Sequence, residues 1–276
     1  MTSKIVAACI QTNAGPDIGT NLERIAPMIC NARERGAELI TLPENVSLII
    51  KGRERLFDQA RAEEEHPAVH FFKTMSRDTG AWILAGSLAI MTGQDRLANR
   101  SYLFNPGGEI VARYDKIHLF DAQLSTEEFY KESANYKSGN CAVTAATPWG
   151  TIGMTICYDM RFPHLYRTLA KAGASIITVP AAFAATTGRL HWHVLLRARA
   201  IETGCYIVAP AQCGKHDGGR ETYGHSLIIA PTGEIMQEAG EDPGIILAQL
   251  DLNKVAETRQ MLPTLKHDCE FSLSVV

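Results

Sequence analysis

Three short segments of this chain each place one reactive side chain after a strand-like stretch. Cys157 lies in Gly153-Met154-Thr155-Ile156-Cys157-Tyr158-Asp159-Met160-Arg161-Phe162-Pro163, where a strand-like stretch over 151–157 meets a helix begun by proline. A thiol at such a junction is expected to lie beside unpaired backbone N–H groups and the positive end of a helix dipole, both of which favour thiolate. Glu44 closes Glu38-Leu39-Ile40-Thr41-Leu42-Pro43-Glu44, and burial at a strand's carboxyl end is expected to raise its pKa towards that of a general base. Lys116, in Arg113-Tyr114-Asp115-Lys116-Ile117-His118-Leu119, supplies a cation. A base, a cation and a thiol are the ingredients of nucleophilic acyl transfer. In that scheme Lys116 and the backbone N–H of Tyr158 stabilise the oxyanion.

The elements that must position these groups read as two similar halves. Gly36-Ala37-Glu38-Leu39-Ile40-Thr41-Leu42-Pro43 parallels Gly173-Ala174-Ser175-Ile176-Ile177-Thr178-Val179-Pro180. Thr79 to Ala85 likewise parallels Thr203 to Ala209, and Ser101 to Ile110 parallels Ser226 to Ile235. Self-similarity of this kind predicts a structural duplication, here over about 4–116 and 150–240. The first half is expected to run strand 4–11, helix 20–35, strand 37–43, helix 67–79 and strands 81–91, 99–105 and 109–115. The second repeats this with strand 151–157, helix 163–172, strand 174–180, helix 189–203 and strands near 205–212, 225–230 and 233–238. Continuous apolar strands such as Ile176-Ile177-Thr178-Val179 indicate sheets buried on both faces, with helices outside. No linker rich in Pro, Gly or Ser interrupts the middle, so residues 1–276 are expected to form a single domain. Residues 117–150 make a long connection of the kind that usually carries function.

The three reactive segments resemble the nitrilase, or carbon–nitrogen hydrolase, superfamily, whose members carry a Glu–Lys–Cys triad in this chain order. The resemblance extends from about Lys4 to about Pro263. It implies an α/β fold of a particular kind, a four-layer αββα sandwich with two pseudo-symmetric halves. It also implies hydrolysis of a linear amide through a thioester on Cys157. Glu132 matches a second glutamate that the superfamily uses to position substrate and orient the lysine, with Glu127 and Glu128 as neighbouring competitors. Phe183 and Thr187 resemble pocket-lining positions in amidases that act on short dicarboxylic monoamides, the alternative for Phe183 being plain core packing. Relatives associate through helices and C-terminal segments, so a homodimer or larger homo-oligomer is expected.

Within the superfamily, Ala198-Arg199-Ala200-Ile201-Glu202-Thr203, Gln212-Cys213-Gly214 and Tyr223-Gly224-His225-Ser226 look most like the deaminated glutathione amidases. The implied substrate is a small linear amide bearing a carboxylate. Alternatives are the ω-amides 2-oxoglutaramate and 2-oxosuccinamate, N-carbamoyl compounds, or a non-catalytic interaction module that shares the fold. Arg161 follows Cys157 by four residues, at a helix start where a cation is electrostatically unfavourable, and a substrate carboxylate would compensate it. His118 has no part in such a triad and reads as structural.

Composition narrows the remaining classes. Net charge is −3 over 276 residues, with 46% apolar and 21% charged residues. That offers no basic face for nucleic acid. No stretch approaches membrane-span length and the first residues lack a signal-peptide pattern, so a cytoplasmic protein is expected. Seven scattered cysteines without a C-x-x-C pair argue against disulfides and structural zinc, and Cys9, Cys30 and Cys205 read as core thiols. His191 and His193 are two apart on a helix and form a poor metal pair. His193 stands where relatives usually carry glutamate. Absence of G-x-S-x-G, P-loop and G-x-G-x-x-G motifs removes serine-hydrolase and nucleotide-binding readings. No metal or cofactor is expected.

Overall fold

Alternation along the first strand decides how the layers stack. In β1 (Lys4–Gln11), Ala7 and Cys9 share a core with Ile152 and Met154, whereas Ala8 and Ile10 share another with Ile25, Ile29 and Phe72. Successive strand residues face opposite ways. One side of this sheet therefore meets a second sheet and the other meets helices. The computed structural model describes residues 3–93 and 95–275.

After β1 the first half runs through α1 (Ile18–Glu34), β2 (Leu39–Thr41), α2 (Arg53–Gln59) and α3 (Pro67–Thr79). It continues with β3 (Trp82–Leu84), β4 (Leu88–Met91), β5 (Leu97–Phe104) and β6 (Ile110–Asp115). A hairpin, β7 (Asp121–Gln123) and β8 (Phe129–Lys131), occupies the connection. The second half contains β9 (Val143–Thr147), β10 (Gly150–Met154), α4 (Pro163–Lys171), β11 (Ala174–Thr178), α5 (Ala185–Thr203) and β12 (Tyr206–Ala209). A ribbon follows, β13 (Cys213–Lys215) with β14 (Glu221–Tyr223), and then β15 (Leu227–Ile229) and β16 (Ile235–Glu238). Two last elements are β17 (Gly244–Asp251) and α6 (Asn253–Met261).

Each main sheet is built on a parallel trio, β1-β2-β3 in one and β10-β11-β12 in the other. Antiparallel strands flank both trios in matching places. β5 lies against β3 as β15 lies against β12, and β17 lies against β1 as β9 lies against β10. α1 and α3 cover the outer face of the first sheet, while Leu165, Leu169, Trp192 and Leu196 of α4 and α5 cover the second. The arrangement is the four-layer αββα sandwich with two pseudo-symmetric halves.

Four expectations change. The single strand over 81–91 is two, β3 and β4, broken at Ala85-Gly86-Ser87. Gly86 has φ +60°, and a Cβ there would lie 1.9 Å from the Pro43 carbonyl oxygen, so the break lets two backbones touch beside Glu44. The strand over 151–157 ends at Met154, and a 3₁₀ turn from Cys157 to Arg161 separates it from α4. Cys30 is exposed on the outer side of α1, while Cys9 and Cys205 are buried as expected. β17 and α6 lie beyond the repeat, and repeat-based reading did not anticipate them.

Candidate active site

Backbone contacts within each half fix the strand ends that carry Glu44, Lys116 and Cys157. Leu42 N–H donates to Leu84 O (3.0 Å) and Ser87 N–H to Pro43 O (3.3 Å), which fixes the exit of β2 and points Glu44 inward. Lys116 closes β6, its N–H donating to Asn99 O (2.9 Å) in β5. Cys157 N–H donates to Pro180 O (2.9 Å) at the exit of β11. Cys157 has φ +48°, a costly conformation for a residue with a side chain, and it persists because its surroundings over-determine it. Asp159, fully buried, does much of this. It accepts from Ile156 N–H (2.9 Å), Tyr114 O–H (2.6 Å), His118 N–H (3.0 Å) and His118 Nδ1 (2.7 Å). His118 thus braces the turn from outside the reacting groups.

Lys116 is the hub. Its Nζ donates to Glu44 Oε1 (2.7 Å) and to Glu132 Oε2 (2.8 Å), with the lysine only 2% exposed. Asn99 Nδ2 bridges the same two carboxylates, at 2.9 Å to Glu44 Oε1 and 2.9 Å to Glu132 Oε1. Phe120 N–H donates to Glu132 Oε2 (2.6 Å) and Ala182 N–H to Glu44 Oε2 (2.8 Å). Glu132 therefore occupies the place contested by three glutamates. Glu128 instead meets Tyr130 O–H and Thr186 Oγ1, and Glu127 is exposed.

The electrostatics run opposite to the expectation from sequence. Burial alone would raise the Glu44 carboxyl, but the Lys116 ammonium in contact with it, aided by Arg220, holds it below its ordinary value. Burial pushes the Cys157 thiol well up, and the Glu44 charge adds to this against the pull of Lys116. Burial opposes the Lys116 charge, yet Glu132 and Glu44 keep its pKa well above normal. The resting site thus holds an ionised glutamate, an ammonium and a neutral thiol.

The carbon-nitrogen hydrolase family model matches residues 6–260. The chain belongs to the carbon–nitrogen hydrolase family. It is 40% identical over 266 residues to a deaminated glutathione amidase of Synechocystis sp., covering 95% of this chain and 97% of that one. The solved NitFhit protein of C. elegans superposes with a TM-score of 0.91 at 32% identity, covering 97% of this chain and 65% of that chain. Saccharomyces cerevisiae Nit3, a member of branch 10 of the nitrilase superfamily, superposes with a TM-score of 0.86 at 31% identity over 96% of each chain. The chain is a hydrolase of carbon–nitrogen bonds other than peptide bonds, an amidase of the nitrilase superfamily.

A cavity of about 700 Å³ opens above this carbon–nitrogen hydrolase site, with Glu44, Lys116, Glu132 and Cys157 in its wall. Its lining also includes Phe120, Tyr130, Tyr136, Thr186 and the cations Lys51, Lys131, Arg189 and Arg220. Arg161, Phe183 and Thr187 do not line it. The 3₁₀ turn carries Arg161 round towards α5, where it meets His191 Nδ1 (3.3 Å) and lies 5.2 Å from the Phe183 ring. Phe183 packs on Trp192 in the core (centroids 5.3 Å apart), as its plainer reading had it. Thr187 turns its hydroxyl back to Ala184 O (3.4 Å) in the first turn of α5.

His191 and His193 diverge as the helical spacing requires. His193 Nε2 and His225 Nδ1 share Glu238 Oε1, at 2.9 and 2.8 Å. Among the described residues this trio is the one group with metal-competent spacing, and none of its members lines the cavity. Residue-level reading missed Asn99, Asp159, Ala182 and Arg220. For Asn99 a signal was present, an amide inside the strand-like run that leads from Leu97 to Phe104. Ala182 acts through its backbone and leaves no trace in residue type.

Proposed function

We propose that the chain hydrolyses a linear carboxamide through an acyl-thioester on Cys157, with deaminated glutathione as substrate. The observation that carries this is the Lys116 ammonium, clamped between Glu44 and Glu132 in the wall of the cavity that also exposes Cys157. As Sγ attacks the carbonyl carbon, Glu44 takes the thiol proton, and negative charge develops on the carbonyl oxygen. An ammonium has three N–H donors, and two are committed to carboxylates. The third, with the Tyr158 backbone N–H, is free to meet the oxyanion. Collapse breaks the C–N bond while Glu44 returns the proton to the departing amine. Water then adds to the thioester, giving its proton to Glu44, and the thiol is regenerated with release of the acid. Glu132 and Asn99 hold Lys116 and Glu44 in place throughout.

Two features support deaminated glutathione. The curated relative at 40% identity over nearly the whole chain bears that name. A cavity of about 700 Å³ also falls within the range of pockets that enclose drug-sized ligands, larger than a short ω-amide requires. The amide of deaminated glutathione joins an oxo acid to cysteinylglycine, so its leaving group is a dipeptide amine rather than ammonia. Assaying cysteinylglycine release from deaminated glutathione beside ammonia release from 2-oxoglutaramate separates the two substrates. A higher kcat/KM on the ω-amide overturns this reading. Intact-mass analysis with a slow substrate should show the acyl group on Cys157, and an unmodified thiol under every condition rejects the covalent route.

The reading extends to self-association and to a cytoplasmic location. Leu190, Val194 and Ile201 of α5 are 69, 66 and 50% exposed, an apolar stripe suited to a second copy. Light scattering that finds only monomer removes this part. Seven free cysteines fit a reducing compartment, and no described helix is long and apolar enough to cross a membrane.

A further inference from the structure

We infer that Arg220, and not Arg161, is the anion anchor of the substrate cavity, binding a carboxylate carried on the acyl part of the amide. The inference rests on the amidase reading above and names the group that would select its substrates.

Arg220 lies at the entry to β14, on the ribbon that lines the cavity, with His216 N–H donating to its carbonyl (2.8 Å). Its guanidinium is half-buried over the Tyr130 ring (5.5 Å to the centroid). Nη2 donates to Ala182 O (2.6 Å), while Nε is buried and has no hydrogen-bond partner among the described residues. A buried donor without a partner is costly, and a cation in that condition more so. Other cations of the lining, Lys51, Lys131 and Arg189, are exposed and bear no such cost.

Placement fits a substrate group. The carbonyl of Ala182 holds Arg220, and the N–H of the same residue holds Glu44 Oε2 at 2.8 Å. One residue thus separates the guanidinium from the proposed base. A carboxylate at Arg220 therefore sits a few bonds from a carbonyl carbon held at Cys157. A planar fork suits a carboxylate better than an ammonium does. Of the acidic residues lining the cavity, Glu44 and Glu132 are engaged by Lys116, Asp217 by Arg55 (3.0 Å) and Glu128 by Tyr130 and Thr186, while Glu127 and Glu221 are exposed. Beside that acidic floor, Arg220 keeps a buried Nε donor that no described residue engages.

The test compares glutaramate, an amide with a distal carboxylate, with pentanamide, a neutral amide of equal chain length. Arg220→Gln should raise KM for glutaramate by about tenfold or more, equivalent to about 1.4 kcal/mol. KM for pentanamide should change by less than about threefold, and competitive inhibition by glutarate should weaken in step. Arg220→Lys keeps a charge beside Tyr130 and serves where the glutamine variant does not fold; the same split, smaller, is expected. Equal KM changes for both amides overturn the anchor, as does unchanged glutarate inhibition. A fall in kcat common to both amides, with KM untouched, makes Arg220 a partner of Glu44 alone and also overturns it. In each of these cases loss of turnover in Cys157→Ala would stand, so this failure is distinct from failure of the hydrolytic reading.

Discussion

The connections that leave β2 and β11 occupy equivalent places in the two halves, yet they deliver different chemistry. Leu42-Pro43-Glu44 presents a carboxylate. Val179-Pro180-Ala181-Ala182 presents backbone: Pro180 O accepts the Cys157 N–H at 2.9 Å, and Ala182 N–H donates to Glu44 at 2.8 Å. The wider division follows the same line. The first half supplies Glu44, Asn99 and Lys116, while the second supplies Cys157, Ala182 and Arg220. One copy of a repeated scaffold holds the two charged members of the proposed triad, and the other holds the proposed nucleophile and the peptide groups hydrogen-bonded to Cys157 and Glu44. Neither half alone contains a complete site.

The largest expected effects come from breaking that division at its ends. Cys157→Ala should abolish turnover with the fold intact by circular dichroism. Glu44→Gln and Lys116→Ala should each lower kcat by about 10²-fold or more. A loss below about tenfold in either, about 1.4 kcal/mol, would remove that residue from its role.

Stability separates the halves next. Gly86→Ala forces a Cβ to within 1.9 Å of the Pro43 carbonyl, whereas a Cβ at Gly173 (φ +95°) meets nothing within 4 Å. Urea unfolding should show Gly86→Ala costing more than about 2 kcal/mol and Gly173→Ala about 1 kcal/mol. Equal costs would mean that the close approach at Pro43 relaxes freely.

A smaller effect sharpens the roles within the first half. Asn99→Leu removes one donor from the buried Glu44 and one from the partly buried Glu132, and kcat should fall by about tenfold, in line with about 1–3 kcal/mol for such a loss. An unchanged kcat would leave Lys116 as sole organiser of the pair.

The pH profile tests the charge assignment directly. Glu44 has a lowered folded-state pKa and must be ionised to act, so activity is present above that pKa and lost as pH falls through it. The plot of kcat/KM should therefore be flat through neutrality and decline only below the ordinary carboxylate value of about 4.3. An acid limb near pH 6–7, about where a raised carboxylate would titrate, would restore the expectation drawn from burial alone. Smallest of all, Arg161→Lys should change KM by less than about twofold, since Arg161 faces α5 and not the cavity.

What the sequence disclosed followed from whether a residue's type carries its role. Glu44, Lys116 and Cys157 each follow a strand-like stretch, and their order along the chain, matched to the superfamily they resemble, marked them. Doubly buried strands in two similar halves were legible in β1, β2 and β11 and the segments around them, but burial and repetition fit two separate doubly wound sheets equally well, and the four-layer stacking came from the resemblance. The break at Gly86 was hidden because it answers to Pro43, a residue far away in sequence. Arg161 lies outside the cavity lining because a 3₁₀ turn, not a helix, follows Cys157 and carries its side chain towards α5. The direction of the Glu44 shift was missed because burial was weighed without the Lys116 contact that outweighs it.

β17 completes the first sheet by pairing with β1 along its whole length, Lys4 opposite Asp251 through Gln11 opposite Gly244. A strand near residue 4 is thus matched with one synthesised more than 230 residues later. At 5–20 residues per second, β1 waits on the order of ten seconds or more for that partner. Throughout the delay it exposes an open hydrogen-bonding edge of eight residues, a template for any other extended chain nearby. Nascent chains of this protein should therefore depend on holding chaperones more at low temperature, where translation slows, and a stall placed before Gly244 should convert soluble product into aggregate.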